Sequence, residues 1–122
     1  MGTGTSGETI SGMIAAAKIV AKRLKIPDHQ LPAFLGRAKH LQKVGLLPTL
    51  KVGRGRPSTI YPHQLRRLEV ACRLTVTGIS PELTVELMAG IEDHQLTADE
   101  IIIQLPSAFG KSQAYICLKI AD

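Results

Sequence analysis

The stretch AKRLKIPDHQL, residues 21–31, predicts two helices that meet at a tight break. Pro27 disfavours a helical conformation in the residue before it, so a helix that enters this stretch ends there. Leu24 and Ile26 would anchor the break in the core, and Leu31 would pin the second helix to the first. The small residue that opens the stretch allows close packing of the helices. The stretch therefore predicts a closely packed helical pair.

Apolar residues recur at spacings of three and four on both sides of this break, which predicts an amphipathic helix on each side. The first helix is predicted over residues 8–24 and the second over residues 28–44, with Asp28 as its capping residue. Gly45 follows as a helix-ending residue. Lys25 stands where such a break usually has glycine, so we expect a turn that is less tight than usual.

A basic segment, KVGRGRPSTIY, occupies residues 51–61. It places three basic residues, two glycines and a proline within seven positions, so charge repulsion and loose backbone both oppose ordering. Short apolar–polar runs on both sides of the glycines predict a two-stranded β-ribbon over residues 48–60. A third helix is predicted over residues 62–77, and Ser80 can cap a fourth.

The end of the chain is rich in β-branched residues. The runs IIIQLP and AYICLKI flank the Gly/Ser/Pro stretch SAFGKS, which predicts a β-hairpin within residues 96–122. The sequence TADE, residues 97–100, also fits a capping box, so residues 97–105 are left open between a strand and a short helix.

The length of 122 residues fits one domain, and a chain without Trp and with only two Phe and two Tyr must build an aliphatic core. We expect a flexible tail over residues 1–7, a folded domain over residues 8–95 and the hairpin over residues 96–122. No apolar run approaches the roughly 18 residues that span a bilayer. We therefore expect no membrane partner and a cytoplasmic location. Cys72 and Cys117 are isolated, which favours reduced thiols.

The net charge of +5 is unevenly distributed along the chain. Residues 18–73 hold 13 Lys and Arg against two acids, a balance of 13 − 2 = +11. Residues 74–122 hold two Lys against seven acids, a balance of 2 − 7 = −5. A segregated basic half indicates a polyanionic partner, which makes double-stranded DNA the expected one.

Catalytic and metal-binding patterns do not emerge from the sequence. It has no Gly-rich phosphate loop, no Ser/His/Asp set and no paired carboxylates in an apolar frame, so we expect no enzyme. The histidines show no ligand spacing with either cysteine, so we expect no metal and no cofactor.

The predicted order of helix, tight break, helix and β-ribbon resembles a winged helix-turn-helix. The expected fold class is mainly α with small β: about four helices, a β-wing and the C-terminal β-hairpin. In such a fold the second helix, residues 28–44, enters the major groove, where an amide suits adenine and cations suit guanine or phosphate. Its expected DNA contacts are Gln30, Arg37, Lys39, His40 and Lys43.

The sequence GRGRP, residues 53–57, resembles the core of the AT-hook, which lies in the minor groove of A·T-rich DNA. Glycine lets the backbone approach the groove floor, and each arginine extends along a narrow, electronegative groove. We therefore expect the wing, residues 51–60, in the minor groove, with Lys51, Arg54 and Arg56 as contacts.

The stretch from residue 39 to residue 88 resembles the DNA-binding domain of the MerR family of bacterial regulators. The likeness lies in an ordered series of motifs: VGLLP (44–48), a basic wing that ends in Tyr61, LRRLEVACRL (65–74) and GISPELTVELM (78–88). The long dimerising helix of that family has no counterpart in this sequence. Small winged-helix proteins of this kind also occur in bacteriophages and integrative elements.

This resemblance implies roles for individual residues. Lys39 would take the place of a recognition-helix arginine, and His40 that of the tyrosine after it. Arg54 and Arg56 would contact DNA from the wing, while Tyr61 would anchor the second wing strand near the DNA backbone.

We therefore expect a sequence-preferring transcription regulator that binds DNA in the nucleoid as a homodimer on repeated half-sites. Residues 101–120 would pair strands between two copies. Outer phosphate contacts are expected from Lys18, Lys22, Arg23, Arg66 and Arg67.

Two alternatives remain open. One is an architectural or recombination-accessory protein, similar to an excisionase, that binds DNA through the same residues with weak sequence preference. The other is a protein-interaction module whose acidic half binds RNA polymerase or a recombinase.

Overall fold

The computed structural model describes residues 10–47, 59–97, 100–104 and 115–119, and it is mainly helical. Within these ranges there are four α-helices: α1 Met13–Arg23, α2 Leu31–Lys43, α3 Pro62–Val76 and α4 Pro81–Ala89. Four short strands pair as two antiparallel sheets: β1 Ile10–Ser11 with β2 Thr59–Ile60, and β3 Glu100–Gln104 with β4 Tyr115–Lys119. The expected fold class, mainly α with small β, is confirmed. The predicted tail over residues 1–7 lies outside the described residues.

The core is aliphatic, as the composition requires. It draws buried side chains from all four helices and from strands β2 and β3, which makes the described elements one packed unit. Fully buried members include Val20, Leu41, Ile60, Leu68, Leu74 and Met88. No helix among the described residues is both long enough and apolar enough to cross a membrane.

The break between α1 and α2 is a Schellman motif. The Ile26 amide donates to the Ala21 carbonyl at 2.9 Å, and the Lys25 amide donates to the Lys22 carbonyl at 3.1 Å. The motif requires a left-handed backbone at Lys25, where φ is 57°. The lysine therefore adopts the conformation that glycine usually supplies, and the expectation of a looser turn is wrong.

The same motif ends α2 and α3. Gly45, with φ of 102°, and Gly78, with φ of 106°, hold the left-handed position there. The amides of Leu46 and Ile79 bond back to the carbonyls of Leu41 and Leu74. Three helices thus end in one geometry, and two of them use the residue type that adopts it without steric cost.

The start of α1 differs from the prediction. The helix was expected from residue 8, but Ile10 and Ser11 form β1, and α1 begins at Met13. Gly12 separates them with φ of 93° and ψ of 145°, a conformation that cannot continue a helix. Ile10 fitted the helical spacing because it packs against the same core from a strand.

The start of α2 also differs. Pro27 is extended, and Asp28–Gln30 form a 3₁₀ turn, so α2 begins at Leu31 with Gln30 at its N-cap. Neither helical start is capped by a side chain, so Asp28 does not act as the expected cap. Ser80 does cap α4, because its hydroxyl accepts a bond from the Leu83 amide at 3.2 Å.

The predicted wing is described in part. Of the predicted ribbon, the structure describes residues 59–60, which form β2 and, among the described residues, pair with β1. The predicted first strand and the wing tip fall within residues 48–58, which lie outside the described residues.

The C-terminal hairpin is confirmed. Ile101 pairs with Leu118 and Ile103 with Ile116 in an antiparallel register. The choice left open for residues 97–105 is settled for residues 100–104, which form β3. A 3₁₀ helix, Asp93–Thr97, precedes the strand.

Replacement of Lys25 by glycine should stabilise the fold. The left-handed conformation costs an L-residue about 1 kcal/mol or more, and glycine removes that cost. We expect the Lys25→Gly variant to unfold in urea with a free energy raised by about 1 kcal/mol. Lys25→Ala keeps the Cβ and removes the charge, so it should show no such gain. An equal gain from both variants would mean that the side chain, rather than the backbone, is the source of strain.

Candidate nucleic-acid interface

Helix α2 buries one face and presents a cationic one. Phe34, Ala38 and Leu41 are buried in the core. Four of the expected contacts on the helix are exposed: Arg37, Lys39, His40 and Lys43. The last three lie opposite the buried face, whereas Arg37 borders it. Gln30 is exposed at the N-cap of the same helix. The structure therefore brings these five sequence-predicted residues to one element.

The charge of this surface is strongly one-sided. Residues 10–47 hold seven Lys and Arg side chains, all exposed, against the single exposed acid Asp28. The cations outside α2 lie on α1 and its break: Lys18, Lys22, Arg23 and Lys25. Such a field attracts a polyanion and accelerates its association.

Glu69, a buried acid on α3, pairs with one of these seven cations, Arg23. Its side chain is only 3% exposed on α3. It accepts bonds from Arg23 at 2.9 Å and from Arg73 at 3.2 Å, and Arg66 lies 3.8 Å away. The Arg23 contact joins α1 to α3. The sequence pattern does not reveal this cluster, because an acid between apolar residues gives no indication of a partner 46 positions away.

Gly36 lies exposed within α2, where glycine is a poor choice for the helix itself. A Cβ built on it meets nothing within 4 Å beyond its neighbours in the helix. Glycine in a helix interior costs about 1 kcal/mol relative to alanine. The fold therefore gives no reason for a glycine at the centre of the outward face.

His40 joins α2 to α4. Its Nε2 lies 3.0 Å from a carboxylate oxygen of Glu82, and both side chains are well exposed. The hydrogen bond from His40 lowers the pKa of the Glu82 carboxyl. The contact places one acid, Glu82, beside the cationic face. The family resemblance did not predict this contact.

The turn after α2 is fastened by a side chain that the sequence did not single out. Gln42 donates from its amide nitrogen to the Leu47 carbonyl at 3.1 Å and accepts from the Leu47 amide, also at 3.1 Å. A side-chain amide has both an NH₂ donor group and a carbonyl acceptor, so it can bond the C=O and the N–H of the same residue. The bond pair fixes the direction in which the chain leaves α2.

Tyr61 lies at the junction of β2 and α3. It is about half exposed, and its ring stacks on His63 with a centroid distance of 6.1 Å. Its backbone amide donates to the Gln64 side chain at 2.9 Å. The tyrosine is thus fixed by its backbone while its ring faces solvent. The expected wing contacts Lys51, Arg54 and Arg56 lie outside the described residues.

Arg66 and Arg67, which were predicted as outer phosphate contacts, both bond to backbone carbonyls within the fold. Arg66 donates to the Leu96 carbonyl at 2.6 Å, and Arg67 donates to the carbonyls of Met88 and Ile91 at 2.7 and 2.6 Å. α3 lies between the other helices, so these long side chains reach backbone at the end of α4 and beyond. They tie α3 to its neighbours.

Arg67→Ala should therefore lower stability, whereas Lys39→Ala should not. Loss of two charge-assisted bonds to carbonyls costs about 2 kcal/mol, while an exposed surface change usually stays within about 0.5 kcal/mol. Urea unfolding of both variants checks this. Equal stability of the two variants would contradict the structural role of Arg67.

Comparison of the chain with known proteins finds no relative: no family model, no curated protein and no solved structure matches it.

Proposed function

We propose that this chain is a sequence-preferring DNA-binding transcription regulator whose helix α2 enters the major groove. The observation that carries the proposal is the exposure of seven cations against one acid over residues 10–47. A surface that is this one-sided favours a polyanion, and duplex DNA presents about one negative charge per 1.7 Å of its axis.

The arrangement of residues on α2 supports insertion into the groove. By helical spacing, Gly36 and Lys43, seven residues apart, share the middle of the outward face. Lys39 lies on one flank and His40 on the other, with Arg37 beyond His40 at the border of the buried face. In a major groove about 12 Å wide, the flanking cations would meet phosphates, and the middle would approach the base edges. The open space at Gly36 supports a close approach there.

The basic segment would add a second contact in the minor groove through Lys51, Arg54 and Arg56. Support comes from its GRGRP sequence and from its two flanks. Leu47 is bonded to Gln42 on α2, and Thr59 is paired with Ser11. The described residue before the segment is thus bonded to α2, and the described residues at its end pair with the strand that precedes α1. The winged helix-turn-helix arrangement as a whole stays a prediction.

A homodimer on repeated half-sites completes the proposal, because one small helix contacts few bases. The protein would act in the nucleoid, where RNA polymerase or a recombinase would be a further partner.

Fluorescence anisotropy with a labelled duplex tests the proposal. We expect affinity to fall steeply with salt, by about 0.9 log units per log unit of salt for each neutralised phosphate. Lys39→Ala should reduce that slope by about one. Lys119→Ala removes an exposed cation on the β3–β4 hairpin and should leave the slope on a single-site duplex unchanged. Absence of binding at low salt, or equal effects of both variants, would sink the proposal.

Sequence preference separates a regulator from an architectural protein. Selection of duplexes from a random pool, followed by competition against mixed sequence, should give a preference of about a thousandfold or more. A ratio near one would favour the architectural alternative.

Gly36 provides a test of the docking face itself. Gly36→Ala should raise the unfolding free energy of the free protein by about 1 kcal/mol. Gly36→Gln should weaken DNA binding roughly tenfold, because a long side chain holds the helix away from the bases. Urea unfolding and anisotropy measure the two effects. Unchanged affinity of Gly36→Gln would place the bases against another face.

A further inference from the structure

The two faces of the β3–β4 hairpin differ in what covers them. Ile101 and Ile103 are each 3% exposed and belong to the core, and Leu118 packs against it. On the opposite face Ile102 is 61% exposed, and its partner across the strands is the exposed Cys117. A solvent-facing strand position normally holds a polar residue, so the centre of this face is unusually apolar.

The charges on this face are balanced. Glu100 and Lys119 are both exposed and lie opposite each other at one end of the sheet. Their charges cancel, so two such faces do not repel each other. The cationic surface of α1 and α2 would strongly repel a second copy that approached it, whereas the hairpin offers an approach without that cost.

We propose that the outer face of the β3–β4 hairpin, with Ile102 and Cys117 at its centre, is the contact surface for a second copy of this chain. The contact would be isologous, as in most two-fold dimers. A two-fold axis beside the Ile102–Cys117 pair stacks the apolar centres on each other. It leaves the Glu100–Lys119 pairs at the rim and brings the two Cys117 side chains close together.

The small size of the face determines the strength of the contact. Strands of five residues extend about 17 Å, so the buried area is well below the standard interface of about 1,600 Å². We expect a weak dimer, with a dissociation constant in the micromolar range or above. The proposed DNA function would raise the effective concentration when two copies occupy adjacent half-sites.

The two cysteines make the contact measurable without DNA. Burial raises the pKa of the Cys72 thiol to about 12, so it stays unreactive. The hydrogen bond with the Glu100 carboxylate raises the pKa of the exposed Cys117 thiol, so labelling at mildly alkaline pH is suitable. A short bismaleimide should therefore join two copies through Cys117 alone.

In the experiment, the full chain is treated with the bismaleimide over a range of protein concentrations. The yield of covalent dimer is then compared with the dimer fraction that analytical ultracentrifugation gives at the same concentrations. We expect covalent dimers in the wild type, none in Cys117→Ser, and about tenfold weaker self-association in Ile102→Glu. Circular dichroism and thermal unfolding verify that the variants fold.

Wild-type protein that sediments as a monomer at every concentration and yields no Cys117 cross-link would overturn the proposal. So would cross-linking that Ile102→Glu leaves unchanged, because random collisions would then explain it. Both results are obtained without nucleic acid, so they leave the proposed DNA binding to its own test.

Discussion

The left-handed turn at Lys25 is the constraint on which the arrangement of α1 and α2 depends. Its two backbone bonds end α1, and the chain then passes through Ile26 and Pro27 into the 3₁₀ turn before α2. The direction of α2 follows from this path, and with it the exposure of Lys39 and Lys43 on the side away from the core. A different exit from α1 would turn the cationic face of α2 elsewhere.

Electrostatics in the interior and on the surface are linked through Glu69. A buried carboxylate needs partners, because desolvation without them is costly. Arg23 and Arg73 provide the partners from two helices. The arrangement hides the acid of α3 while leaving the lysines of α1 and α2 unpaired by it. One buried group thus contributes both to the packing of α1 on α3 and to the positive field outside.

Much of the fold follows from local patterns in the sequence. Apolar spacing located all four helices, Gly45 and Gly78 marked two helix ends, and alternating β-branched residues located the hairpin. The errors in the predicted helix boundaries arose where contacts between residues distant in sequence determine the structure. Ile10 has helical spacing but pairs with Ile60, and Gly12 places the true boundary.

The candidate site was predictable where it depends on local sequence patterns. Exposure of Arg37, Lys39, His40 and Lys43 follows from the periodicity of α2. The roles of Arg66 and Arg67 do not, because spacing cannot tell whether a long side chain reaches solvent or a carbonyl 20 to 30 residues away. The contact of His40 with Glu82 also depends on how α2 and α4 meet.

The exposed glycine at the centre of α2 has a consequence for the evolution of this chain. Selection on stability alone does not remove a poor helix former from a natural protein, as long as the fold stays above the threshold that function needs. A laboratory selection for heat resistance alone, without ligand, would replace Gly36 readily, because a larger residue meets no obstacle in the free molecule. If natural selection has kept the glycine, it has acted on a complex in which that space is filled.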